Sequence, residues 1–219
     1  MTLLGASLLG GALALDSTSV AQLMLSRPLA AGLLSGWLSG DPRAGFLAGV
    51  ILEIYLLVAF PVGGARFPEG ATATVVAAVT AATHPGPGPL ALAVGFGLVW
   101  GQLGGWSITG LRNLNIRVVP DPMHSELRPR RVAGGHLLAL LLDFVRGALV
   151  TGTGVWLADL VVARLNGRWP LGQPDTVGLF LVGAAVSAGI LLQNFGGFRR
   201  RRTLFLVGLA GGALGGLLL

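Results

Sequence analysis

The chain has 219 residues, 53% of them apolar and only 11% charged, with a mean hydropathy of +0.77. A water-soluble domain carries about 25% charged residues, so this chain lacks the polar surface to meet water on all sides and reads as an integral membrane protein. The net charge of +6 comes from fifteen arginines and no lysine. All but Arg146 lie in connections between apolar runs without interleaved aromatics, which argues against a nucleic-acid face. The absence of cysteine excludes disulfides, thiolate metal sites and a phosphocysteine carrier.

The first apolar run, residues 2–15, stops at Asp16 and has no basic residue ahead of it. It is expected to stay attached as a membrane segment, since a secretory signal has a positive n-region. Residues 28–38 follow Ser26 and Arg27, with Pro28 at an early helical position, and Gly40-Asp41-Pro42 ends that helix. Residues 44–60 are apolar except for Glu53; Pro61-Val62-Gly63-Gly64 interrupts the run, and Phe67-Pro68-Glu69-Gly70 precedes another over 71–83. His84-Pro85-Gly86-Pro87-Gly88-Pro89 reads as a rigid loop. Residues 90–111 form a full span, 112–131 are polar, and 132–162 are apolar with Asp143, Arg146 and Asp159 inside. A clean span over 176–195 and a last run over 203–219 close the chain.

A spanning helix needs about 20 residues, and residues 71–83 fall short of that. Two short runs around a Pro/Gly break predict re-entrant or discontinuous helices, a feature that marks binding sites in transporters. The expected fold is all-α and polytopic, with six to eight apolar helical segments in one membrane domain over 1–219. Within it, 1–111 is an interrupted half, 112–131 a basic cytoplasmic connection, and 132–219 a C-terminal helical half. Five arginines in 112–131 and four in 199–202 are separated by two apolar runs, so both loops fall on the cytoplasmic side together.

Ionisable residues inside apolar runs cost about 2.5–3.5 kcal/mol on insertion scales and therefore face protein or a cavity. Glu53 is the clearest case. One reading makes it a sugar contact, because a carboxylate accepts from two adjacent hydroxyls; another makes it a partner for Arg66 or Arg146, or a proton-coupling group. Glu69 and Asp16 flank breaks, and Asp16 before Ser17-Thr18-Ser19 has the look of capping chemistry. Asp143 and Arg146, spaced i, i+3, are expected to pair on one helix face. His84, His124 and His136 show no metal-ligand spacing, so no metal site, cofactor or catalytic residue is expected.

Several ordered motifs carry a resemblance. Leu15-Asp16-Ser17-Thr18, Gln22 to Leu29, Gly36 to Asp41, Gly49 to Tyr55, Phe60 to Ala65 and Phe67-Pro68-Glu69-Gly70-Ala71 resemble the enzyme IIC permease component of the mannose/fructose/sorbose phosphotransferase systems. His136-Leu137-Leu138 to Phe144-Val145-Arg146-Gly147 is similar to that family's later helix. Phe67 and Glu69 stand where the family more often has proline and aspartate. The resemblance implies a transport subunit rather than an enzyme, in a bacterial inner membrane, within a hetero-oligomer. Its partners would be a IID-like membrane subunit, cytosolic IIA and IIB phosphocarriers, and a hexose-type sugar phosphorylated by IIB. A sugar pocket is expected to hold Glu53, on its burial cost, and Glu69, with Asp16 as a third member; the last two rest on the matching motifs and on the breaks beside them. Two further classes stand beside it: an ion- or proton-coupled transporter using Glu53 and Asp143, and a non-transporting scaffold left from an incomplete system.

Overall fold

The computed structural model describes residues 1–57, 59, 66–118 and 128–218, without the side chains of 213 and 215–218. Eight α-helices and one 3-10 turn make up the described chain, with no strand among the described residues. They are α1 (Leu3–Thr18), α2 (Pro28–Ser39), α3 (Pro42–Tyr55), α4 (Gly70–Thr83), α5 (Pro87–Val118), α6 (Pro129–Leu165), α7 (Gln173–Asn194) and α8 (Gly197–Leu218). The all-α membrane fold expected from composition is therefore the fold observed.

Helix length divides the bundle into two kinds of element. The 16, 12, 14 and 14 residues of α1 to α4 give roughly 18–24 Å at 1.5 Å per residue, short of a hydrocarbon core about 30 Å thick. By contrast α5, α6 and α7 are each long and apolar enough to cross a membrane. The break at Pro61 to Gly64 lies outside the described residues, but the short helices that flank it, α3 and α4, stand as separate elements.

The central element is α4. Its residues Ala71 to Ala81 are all buried, an all-round burial that only Ala, Thr and Val permit when helices close in from every side. It runs antiparallel to α5: Gly101 and Gly97 approach Ala73, while Gly104 lies against Glu69. In turn α1 runs antiparallel to α6, with Gly10 against Thr151 and Ala14 against Gly147. Trp100 fills the space beside Gly154 and donates its indole N–H to the Val150 carbonyl at 2.9 Å.

The α2–α3 hairpin is packed backbone to backbone. A Cβ at Gly32 would fall 2.5 Å from the Gly45 carbonyl oxygen, and Gly36 and Gly49 lie on the same seam. Such close approach is the use membrane helices make of glycine. Gly40, at φ 91°, closes α2 in the left-handed conformation that glycine adopts without penalty.

Two boundaries differ from expectation. The polar stretch starting at Arg112 continues α5 to Val118, because its apolar and polar residues still suit a helix once it leaves the bundle. The His84–Pro89 stretch is shorter as a loop than it reads: Pro87 opens α5, where its missing N–H costs nothing.

Candidate functional site

Two polar centres lie close together where α1 and α3 end and α2 and α4 begin. The first is built around Arg146 on α6. Its guanidinium donates to both oxygens of Glu69, Nη2 to Oε1 at 2.8 Å and Nη1 to Oε2 at 2.9 Å. It also donates to Asp143 Oδ1 from Nε at 3.0 Å and Nη2 at 2.9 Å, and to the Ser107 hydroxyl at 3.0 Å. The Asp143–Arg146 pair expected from i, i+3 spacing is present.

Hydroxyl donors complete this centre. Thr72 donates to Glu69 Oε2 at 2.9 Å, Thr18 donates to Asp143 Oδ2 at 2.9 Å, and Ser19 donates to the same oxygen. Glu69 is fully buried and Asp143 is 4% exposed. Charges this deep persist only when paired and hydrogen-bonded, and both conditions are met here. Room for the Glu69 carboxylate comes from α5, where a Cβ at Gly104 would meet its Oε2 at 2.6 Å. Helices α1, α4, α5 and α6 are thereby joined through Arg146 and Asp143.

The second centre is a cavity of about 90 Å³ lined by Ser17, Ser26, Arg27, Glu53, Pro68 and Gly70, among others. Glu53 reaches it from the last turns of α3. One carboxylate oxygen pairs with Arg27, and the other accepts the Leu29 backbone N–H at 3.2 Å. Leu29 lies in the first turn of α2, where backbone N–H groups have no intrahelical partner and the helix dipole favours an anion. The Glu53 side chain is 17% exposed.

Asp16 supports the wall of this cavity. From the last turn of α1 it accepts the backbone N–H groups of Leu23 at 2.6 Å and Ser26 at 2.8 Å. The loop it ties down carries Ala21, Gln22 and Met24 at positive φ, a conformation that non-glycine residues adopt at a cost. Asp16 thus fixes the segment that delivers Ser26 and Arg27 to the cavity. Its capping acts on this loop rather than on Ser17-Thr18-Ser19.

Of the three carboxylates expected in one pocket, only Glu53 lines the cavity. Glu69 stands next to it in sequence, between lining residues Pro68 and Gly70, but turns its carboxylate to Arg146. The physical reason is charge: a fully buried anion needs a cation, and the Arg146 side chain, only 9% exposed, needs an anion. Glu53 pairs with Arg27 rather than Arg66 or Arg146. Sequence reasoning left out Arg27, Ser107, Thr18 and Ser19. An arginine immediately before Pro28 carried a signal, since a cation at a helix N-terminus is unfavourable without a compensating carboxylate. Of the histidines, His84 lies 2.7 Å from Asp159 Oδ1 at the far end of α4. His124 lies outside the described residues. Among the described residues no cluster has the composition to hold a metal ion.

Comparison with known proteins agrees with this architecture. A solved structure described as that of a membrane protein superposes with a TM-score of 0.71 at 16% identity, covering 100% of this chain and 96% of that one. At that identity the likeness establishes the fold alone. No curated protein matches the sequence. The family model for the sorbose-specific IIC component of the phosphotransferase system matches residues 3–188. It takes in both polar centres and most of the bundle. The chain belongs to this family of multi-pass membrane components of phosphotransferase permeases.

Proposed function

We propose that the chain is a IIC subunit that carries a hexose-type sugar across a bacterial inner membrane, delivering it for phosphorylation by a separate IIB protein. A IID-like membrane subunit would share the translocation path, and a IIA protein would supply the phosphoryl group to IIB. The chain itself would contribute binding and passage, with phosphoryl transfer on its partners.

The observation that carries this reading is the Glu53 cavity. A partly exposed carboxylate, a guanidinium and the hydroxyl-bearing residues Ser17 and Ser26 line one small space between helix ends. Vicinal hydroxyls suit such a set, because a carboxylate accepts two at once and a charge-assisted bond is roughly twice as strong as a neutral one. At about 90 Å³ the cavity is well below the roughly 300–1,000 Å³ of small-molecule sites. A sugar would therefore need this space to widen and would compete with Arg27 for the Glu53 oxygen that the arginine now holds. Glu53 is the direct contact in this reading; Glu69 and Asp16 are positioning residues, acting through α4 and through the 20–26 loop.

The test is a thermal-shift titration of the purified chain in detergent with sorbose, fructose, mannose and glucose. Stabilisation that saturates with one or more of these, and that Glu53→Gln removes, supports the site. Saturable stabilisation that is unchanged in Glu53→Gln and Arg27→Gln would move the site elsewhere.

A further inference from the structure

The C-terminal end of α7 and all of α8 lie beyond the family match, which ends at residue 188. Between them runs a groove of about 480 Å³, walled by Leu57, Leu191, Leu192, Phe195, Leu204 and Phe205, with Arg201 also contributing to the lining. Ala188 also lines it. The volume is within the range of sites that take a small molecule.

The chain turns from α7 to α8 through Gly196 and Gly197, at φ 101° and 77°. Four arginines follow at once, Arg199 to Arg202, all exposed. Arg201 departs from helical geometry, with φ −120° and ψ 18°, and its Nε donates back to the Phe195 carbonyl at 3.3 Å. That contact folds the side chain toward the end of α7. Among the described residues none of these arginines has an ion pair.

Neither feature suffices alone. An arginine run beside a membrane segment sets orientation, and an apolar groove facing lipid needs no special occupant. Their junction is more selective: an apolar trough is lined by Arg201, one of four consecutive exposed arginines. We propose that this groove is a binding site for an anionic phospholipid, with an acyl chain along α7 and α8 and the phosphate among Arg199 to Arg202. Arginine suits the headgroup because its planar fork meets phosphate oxygens in pairs. A zwitterionic lipid would offer the same tail but carry its own cation to the cluster. Anionic lipids enrich the cytoplasmic leaflet, the side on which the arginine pattern places this loop. The site is independent of the sugar cavity.

The test uses the full chain, delipidated in detergent, and native mass spectrometry with added phosphatidylglycerol or phosphatidylcholine of identical acyl chains. The expected result is one retained phosphatidylglycerol, favoured about tenfold or more over phosphatidylcholine, as charge-assisted headgroup contacts require. Ala188→Trp, which fills the groove, and the combined Arg199→Gln, Arg200→Gln, Arg201→Gln, Arg202→Gln variant should each abolish that preference. The corresponding fourfold lysine variant keeps charge and orientation and should retain part of it. Equal retention of the two lipids would overturn the proposal. So would full retention in Ala188→Trp, or displacement of the lipid by soluble glycerol phosphate, since either would leave a headgroup site without a groove. A stable dimer whose formation is blocked by Ala188→Trp, with no lipid retained, would assign the face to a second copy of this chain instead.

Discussion

Arg146 and Glu69 meet through two parallel hydrogen bonds, although 77 residues separate them in the chain. The pair fixes the start of α4 against α6, and α4 is the helix on which every other short helix packs. Its geometry is that of a guanidinium fork against a carboxylate, which lysine cannot reproduce.

Breaking the pair from either side should therefore cost far more than a surface ion pair would. Arg146→Met leaves Glu69 and Asp143 buried without a cation, and a loss of about 3–5 kcal/mol is expected. Arg146→Lys retains the charge and loses the fork, so it should lie between Met and wild type. Thermal unfolding in detergent checks the order. Equal stability of Met and Lys variants would show that charge is not what holds this centre.

The hydroxyl donors to Asp143 make a finer prediction. Ser19→Ala together with Thr18→Val removes both donors from Oδ2 while conserving shape for threonine. Leaving a buried acceptor short of partners costs about 1–3 kcal/mol. The same unfolding assay should show the loss, and Arg146→Met should partly mask it, because both act on one network.

Glycine positions separate into two classes that a single substitution distinguishes. A Cβ at Gly45 collides with the α2 backbone at Gly32 and Gly36, whereas one at Gly95 meets nothing within 4 Å. Gly45→Ala should force the hairpin apart and destabilise the chain by about 1–3 kcal/mol, the usual cost of overpacking. Gly95→Ala should be neutral or stabilising by about 0.5–1 kcal/mol, since alanine is the better helix residue. Similar melting temperatures for the two variants would contradict the packing of α2 on α3.

Much of this architecture is legible in the sequence because its causes are local. Apolar run lengths, Pro28 and Pro42 at helix starts and Gly40 at a helix end mark the short helices. The i, i+3 spacing of Asp143 and Arg146 announces their contact. The partners of Glu53 and Glu69 are not legible in the same way. Which of several buried carboxylates takes which arginine depends on helix crossing, and nothing in the spacing of Arg27 and Glu53, or of Glu69 and Arg146, encodes that crossing. The direction of the Glu69 side chain followed the same rule: the motif placed the residue beside the cavity, and the buried cation turned it away.

Membrane orientation has a direct check, since the chain contains no cysteine to interfere. Cysteines placed singly at positions 172, the N-cap of α7, and 200, in the first turn of α8, bracket α7. Position 200 should react with an impermeant thiol reagent only from the cytoplasmic side, and position 172 only from outside. Labelling of both from one side would remove the two-crossing argument for 132–195.

The proposed roles are separable: Glu53 would contact sugar, while Glu69 would position α4. Isothermal titration of the responsive hexose into Glu53→Gln and Glu69→Gln chains, each checked for folding, tests this most directly. Losing a hydrogen bond to a charged group, about 1.5–3 kcal/mol, should weaken binding to Glu53→Gln by about tenfold or more while it stays folded. Glu69→Gln should lower the melting temperature and leave the affinity of the folded fraction unchanged. The opposite pattern, with affinity lost in Glu69→Gln and kept in Glu53→Gln, would contradict the account.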